Sequence, residues 1–83
     1  MPIFLGVHKF PPGEDADSLT DQNWEKYKQA AVSLGLKPLK VLISLPTGVA
    51  YCQTEANSEE DVKKAHVTAE IPFEEIIEVK SLD

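Results

Sequence analysis

A single cysteine, Cys52, stands in a chain of 83 residues. No disulfide can close within the chain, which excludes the small secreted scaffolds that replace a core with cross-links. Bases are also few: 8 against 14 acids, for a net charge of −6. A phosphate backbone needs a clustered positive footprint, and so does an anionic membrane surface. Neither nucleic acid nor membrane is therefore expected as a partner. The apolar run at the N-terminus, Met1 to His8, is about six residues long and lacks a basic lead, too short for a signal peptide or a span. The expected location is the cytoplasm. Nucleophile elbow, P-loop, dinucleotide fingerprint, internal repeat and low-complexity segment are all missing.

What is present is an ordinary small-domain pattern. The apolar fraction of 42% is that of a globular chain, and the length allows one domain, residues 1–83. A chain this short buries only about 60–65% of the surface it exposes when unfolded, so burying more in a dimer would help it.

Alternation predicts a first strand over Ile3 to Phe10, stopped by Pro11-Pro12-Gly13 and followed by an acidic loop from Glu14 to Asp17. A helix is predicted to start near Ser18, with Asp21 completing a capping box. Trp24, Tyr27, Ala31 and Leu34 recur at helical spacing as its buried stripe, and Gly35 ends it. Leu39 to Leu45 and Val49 to Ala56 are strands joined by a tight turn at Pro46-Thr47-Gly48. Asn57 or Ser58 caps a second helix with Val62, Ala65, His66 and Ala69 inward, and Pro72 breaks it. The last strand is Ile76 to Val79.

The order β-α-β-β-α-β with right-handed crossovers predicts a ferredoxin-like α+β fold. Its four-stranded antiparallel sheet has the order 4-1-3-2, with both helices on one face. The helices are expected over the more apolar sheet faces: Ile3, Leu5 and Val7; Val41, Ile43 and Leu45; Ala50 and Cys52; Ile77 and Val79. Phe4, His8, Phe10, Leu42, Tyr51, Gln53, Glu55, Ile76 and Glu78 then share the open face. That mixture is too apolar for water and suggests a dimer that packs sheet faces together, or a ligand cleft.

Four residues are candidates for chemistry: His8, Cys52, Glu55 and His66. Strict alternation puts Cys52 and Glu55 on opposite faces, which makes His8 and Glu55 the same-face pair. Imidazole and carboxylate together can bind a divalent metal, or the carboxylate can orient the imidazole.

Val7-His8-Lys9-Phe10-Pro11, Tyr51-Cys52-Gln53-Thr54-Glu55-Ala56, Asp61-Val62-Lys63-Lys64-Ala65-His66 and Glu75-Ile76-Ile77-Glu78-Val79 resemble a family of small ferredoxin-like proteins. The family was long catalogued as a domain of unknown function, and it includes a bacterial nickel-binding, nickel-responsive protein. The resemblance spans about residues 3–79. It implies a homodimer and a site for nickel or another divalent transition metal, held by His8, Glu55 and His66 with Cys52 as a soft ligand.

Two other readings compete. A cofactor-free enzyme or small-ligand binder would use His8 as general base, oriented by Glu55, in a cavity lined by Phe4, His8, Phe10 and Tyr51. No oxyanion donor or substrate is legible, so no catalytic set is assigned and a non-enzymatic role is favoured. A regulatory or interaction module would use the open face only to assemble.

Overall fold

A computed structural model describes residues 2–11, 15–80 and 82. The elements run β1 (Ile3–Lys9), α1 (Ala16–Ser33), β2 (Lys37–Ser44), β3 (Val49–Glu55), α2 (Glu59–Thr68) and β4 (Glu75–Val79). All neighbouring strands are antiparallel, and the sheet order is β2-β3-β1-β4. This is the expected ferredoxin-like βαββαβ arrangement, with β1 and β3 side by side in the centre. Among the described residues, no helix is long and apolar enough to cross a membrane.

The helix ends differ from expectation in instructive ways. Helix α1 begins earlier than Ser18, because Asp15 is its N-cap and accepts from the Ser18 amide at 3.2 Å. The acidic stretch is thus partly a cap; Pro12, Gly13 and Glu14 lie outside the described residues. At the other end the Leu36 and Gly35 amides close back on the Ala31 and Val32 carbonyls. That is a Schellman motif with Gly35 at φ +79°. Ser58 caps α2, accepting from the Asp61 amide. Helix α2 does not run on to Pro72. It closes with a second Schellman motif, in which the Ile71 and Glu70 amides reach the His66 and Val67 carbonyls. Glu70 fills the left-handed position at φ +58°, where glycine is usual. Ile71, next in line, is buried.

The core lies between the sheet and both helices. Phe4, Tyr27, Ala31, Cys52, Val62, Ala65 and Ile76 meet there, with Trp24 and Phe73 packed at the margin. Here the expected face of β1 is reversed. Phe4, Gly6 and His8 point toward the helices; Ile3, Leu5 and Val7 lie on the open face. The register shows it directly, since Gly6 pairs with Cys52 and His8 with Ala50, both of which face the helices. Ile76, opposite Gly6, is likewise inward, and Ile77 and Val79 are outward. On β2 and β3 the expected inward set holds at Val41, Ile43, Ala50 and Cys52, since Val41 and Ile43 pair with Cys52 and Ala50; Leu45 lies past the end of β2 in the turn and is exposed instead. A bulge between Pro38 and Lys40 sets that register.

The reversal has a steric cause. A Cβ built on Gly6 would stand 2.7 Å from Cys52 Sγ and 3.2 Å from His66 Nε2. A residue without a side chain must therefore face the point where β3 and α2 converge, and Leu5 cannot take that place. Ranking faces by apolarity misses this, because both faces of β1 are apolar.

Candidate metal centre

Three side chains from three elements meet over Gly6. His8 comes from the central strand β1, Cys52 from β3 beside it, and His66 from α2 above. Helical spacing carries His66 inward with Val62, four residues before it, and its ring is completely buried. Tyr27 packs tilted on that ring at 4.5 Å between centroids, and Phe73 meets it edge-on at 5.2 Å. The rings of His8 and His66 stack at 5.1 Å.

The donor atoms form a nearly equilateral triangle. His8 Nε2 is 3.3 Å from Cys52 Sγ, Cys52 Sγ is 3.5 Å from His66 Nε2, and the two Nε2 atoms are 3.4 Å apart. The other nitrogen of each ring is tied to backbone. His8 Nδ1 donates to the Pro72 carbonyl at 2.9 Å, and His66 Nδ1 donates to the Val62 carbonyl at 2.8 Å. A carbonyl can only accept, so the proton of each neutral ring sits on Nδ1 and its lone pair on Nε2. Two lone pairs and a thiol thus share one point. The thiol proton can satisfy only one of them. Metal-binding histidines are oriented in this way, with the outer N–H held by a carbonyl or carboxylate.

Electrostatics favour lone pairs over protons. Burial pushes the His66 pKa down to about 4, against the raising effect of its Val62 bond and helped by His8. Burial also lowers that of His8, its Pro72 bond partly opposing. The Cys52 thiol is raised to about 11 by burial, despite the amides of Gly6 and Cys52. Near neutral pH, both rings are neutral and only the thiol proton must leave when an ion binds. A coordinated cation removes such a proton itself. His66 also sits in the last turn of α2, where the helix dipole favours positive charge.

Glu55, expected beside His8, lies on the other side of the sheet. It pairs with Ile3, and both point to the open face. The pleat that separates it from Cys52 also separates it from His8 once β1 is turned over. Tyr51 follows Glu55 to the open face, so the cavity of Phe4, His8, Phe10 and Tyr51 is not assembled. A small cleft opens beside the triangle instead, lined by Phe10, Thr20, Asn23, Trp24 and Val41 as well as the three donors. Its free space is about 30 Å³, enough for one or two waters and too little for an organic ligand.

His8, Cys52 and His66 together could hold a metal ion. The description "Nickel responsive protein SCO4226-like" matches residues 4–79. The chain belongs to this SCO4226-like family. Among solved structures, it is similar to the crystal structure of SCO4226 from Streptomyces coelicolor A3(2). The TM-score is 0.82 at 25% identity, over 98% of this chain and 99% of that one. No curated protein matches.

Sequence reasoning missed Gly6, Thr20, Tyr27 and Phe73 as parts of this site. Gly6 carried a legible signal. An isolated glycine inside a strand pattern marks a close approach of something across it.

Proposed function

We propose that the protein is a small metal-binding module. It holds one divalent transition-metal ion, nickel or a neighbour, through His8 Nε2, Cys52 Sγ and His66 Nε2. The observation that carries this is the triangle of donors whose outer nitrogens are both fixed by carbonyls. Burying two unprotonated imidazoles against a thiol leaves a lone pair unsatisfied; an ion would satisfy all three. The family's nickel-responsive description supports nickel as one candidate. The ion would contribute binding energy to the folded state and, through occupancy, a signal of metal supply.

We further infer that the module acts in the cytoplasm, where a free thiol stays reduced, and as a homodimer. Ile3, Leu5, Val7, Leu42, Tyr51, Ile77 and Val79 share the open face, with Leu42 50% and Ile77 40% exposed. Sheet-to-sheet packing of two copies would cover it. Sedimentation should give a dimer, and Leu42→Lys with Ile77→Lys should give a monomer. A monomeric wild type at high micromolar concentration would remove this assembly.

Calorimetric titration of the metal-stripped protein tests the binding itself. Tight, one-to-one binding is expected for wild type and for Glu55→Ala, with loss in His8→Ala and in His66→Ala. Free ion at about 100 times Kd should add about 2.7 kcal/mol to folded stability. In a domain this size that raises Tm by about 10 °C or more. Weak binding that is alike in all four proteins would sink the proposal.

A further inference from the structure

We propose that this centre selects zinc(II) over nickel(II). The inference rests on the metal-binding reading above and concerns which ion the donor set fits.

Consider the distances that each geometry requires. With metal–nitrogen bonds of about 2.0–2.1 Å and a metal–sulfur bond of about 2.3 Å, tetrahedral angles place two nitrogens about 3.3–3.4 Å apart and nitrogen and sulfur about 3.5 Å apart. The protein holds its nitrogens 3.4 Å apart and its nitrogen–sulfur pairs at 3.3 and 3.5 Å. Three corners of a square would need one trans pair about 4 Å apart and two cis pairs near about 3 Å. No pair in this triangle is long enough to be trans. One face of an octahedron asks for separations of about 2.9–3.2 Å, and it also needs three further ligands.

The surroundings resist both alternatives. Moving a ring by about half an ångström would stretch a carbonyl bond at 2.9 Å for His8 or 2.8 Å for His66. The His66 ring is further clamped by Tyr27 and Phe73. Below the triangle Gly6 leaves no slack, since even a Cβ there would collide with Sγ. The cleft has space for one or two waters beside the donors, enough for a fourth ligand. Thr20 stands on the cleft wall, only 7% exposed. Its hydroxyl has no hydrogen-bond partner among the described residues. Threonine in a helix divides between two χ1 rotamers, so this hydroxyl can turn to a polar fourth ligand.

Zinc has a filled d-shell and loses nothing at a tetrahedral site. Nickel(II) prefers square-planar or octahedral surroundings. It must either give up that preference here or pull the donors from their supports. Zinc and cobalt(II) require neither.

The test is competition dialysis of the metal-stripped protein against equal zinc and nickel, with bound metal counted by mass spectrometry. Zinc should be retained in several-fold excess, because the geometry of the site and not the intrinsic affinity series then decides. The cobalt(II) form supplies an independent readout of geometry. It should show the intense visible bands of four-coordinate cobalt and a sulfur-to-metal charge-transfer band. Equal or greater retention of nickel would overturn the selectivity while leaving the metal site standing, as would a weak, six-coordinate cobalt spectrum. Retention of neither ion would overturn the selectivity together with the metal-binding reading.

Discussion

Replacing Gly6 by alanine should damage the centre from below. The added Cβ would stand 2.7 Å from Cys52 Sγ, 3.2 Å from His66 Nε2 and 3.3 Å from His66 Cε1. Contacts below about 3.0 Å are not tolerated, so sulfur, ring or strand must move by several tenths of an ångström. Sγ is the end of a short side chain between layers, and the ring is held by Val62, Tyr27 and Phe73. None of these yields cheaply. Overpacking of this kind costs about 1–3 kcal/mol, while exchanging glycine for alanine in a strand returns about 0.5–1 kcal/mol. A net loss of up to about 2.5 kcal/mol remains, and in a domain of this length it lowers Tm by up to about 20 °C. The larger effect should fall on the ion, because the displaced atoms are two of its three donors. Thermal unfolding with and without zinc or nickel separates the two losses. The metal-free Tm should fall, and the increment on adding metal should shrink or vanish. A variant with the wild-type Tm and the wild-type increment would refute the steric account of both the site and the orientation of β1.

Acid should destabilise the metal-free protein earlier than carboxylate titration alone requires. The pKa of His66 is near 4 when folded and near about 6.5 when unfolded, so its stabilisation is complete above pH 6.5 and lost as pH falls through 4. Denaturant unfolding should show a loss of about 2 kcal/mol by pH 5 and about 3 kcal/mol at full protonation, with His8 adding in the same sense. Stability that stays flat from pH 7 to 5 would contradict a buried neutral His66. Glu70→Gly should raise stability by about 1 kcal/mol, because φ +58° is strained for glutamate and free for glycine. An unchanged or lowered denaturation midpoint would count against the second Schellman motif. Tyr27→Phe removes the partner of the wholly buried Thr54 hydroxyl, 2.5 Å away, and should cost about 1–3 kcal/mol. Its ring still covers His66, so metal affinity measured by calorimetry should stay near that of wild type.

The order of elements, the sheet order and the helix stripes were legible because each rests on a strong local signal. Helical spacing from Trp24 to Leu34 is one, and the turn chemistry at Pro46-Thr47-Gly48 is another. The orientation of β1 was not legible. Alternation divides a strand into two sets of residues but does not say which set faces inward when both are apolar. The space above position 6 decides it, and that space is set by Cys52 and His66, distant in sequence. The error at β1 carried into the site. It paired His8 with Glu55, when the fold turns His8 toward Cys52 and His66. Histidine and cysteine were visible as residue types; their convergence required the fold. The end of α2 was hidden for a simpler reason, since glutamate at a left-handed position carries no signal of its own.

One stretch of chain, from Val62 to Pro72, governs both imidazoles. It contributes His66, fixes that ring through the Val62 carbonyl, and fixes His8 through the Pro72 carbonyl. Shifting it would disturb the backbone supports of both rings together. Such coupling runs both ways. Whatever displaces this stretch would weaken an ion held by both rings, and a filled centre would resist that displacement by the same free energy. The segment from Ala69 to Glu74 thus ties the support of one imidazole to the support of the other.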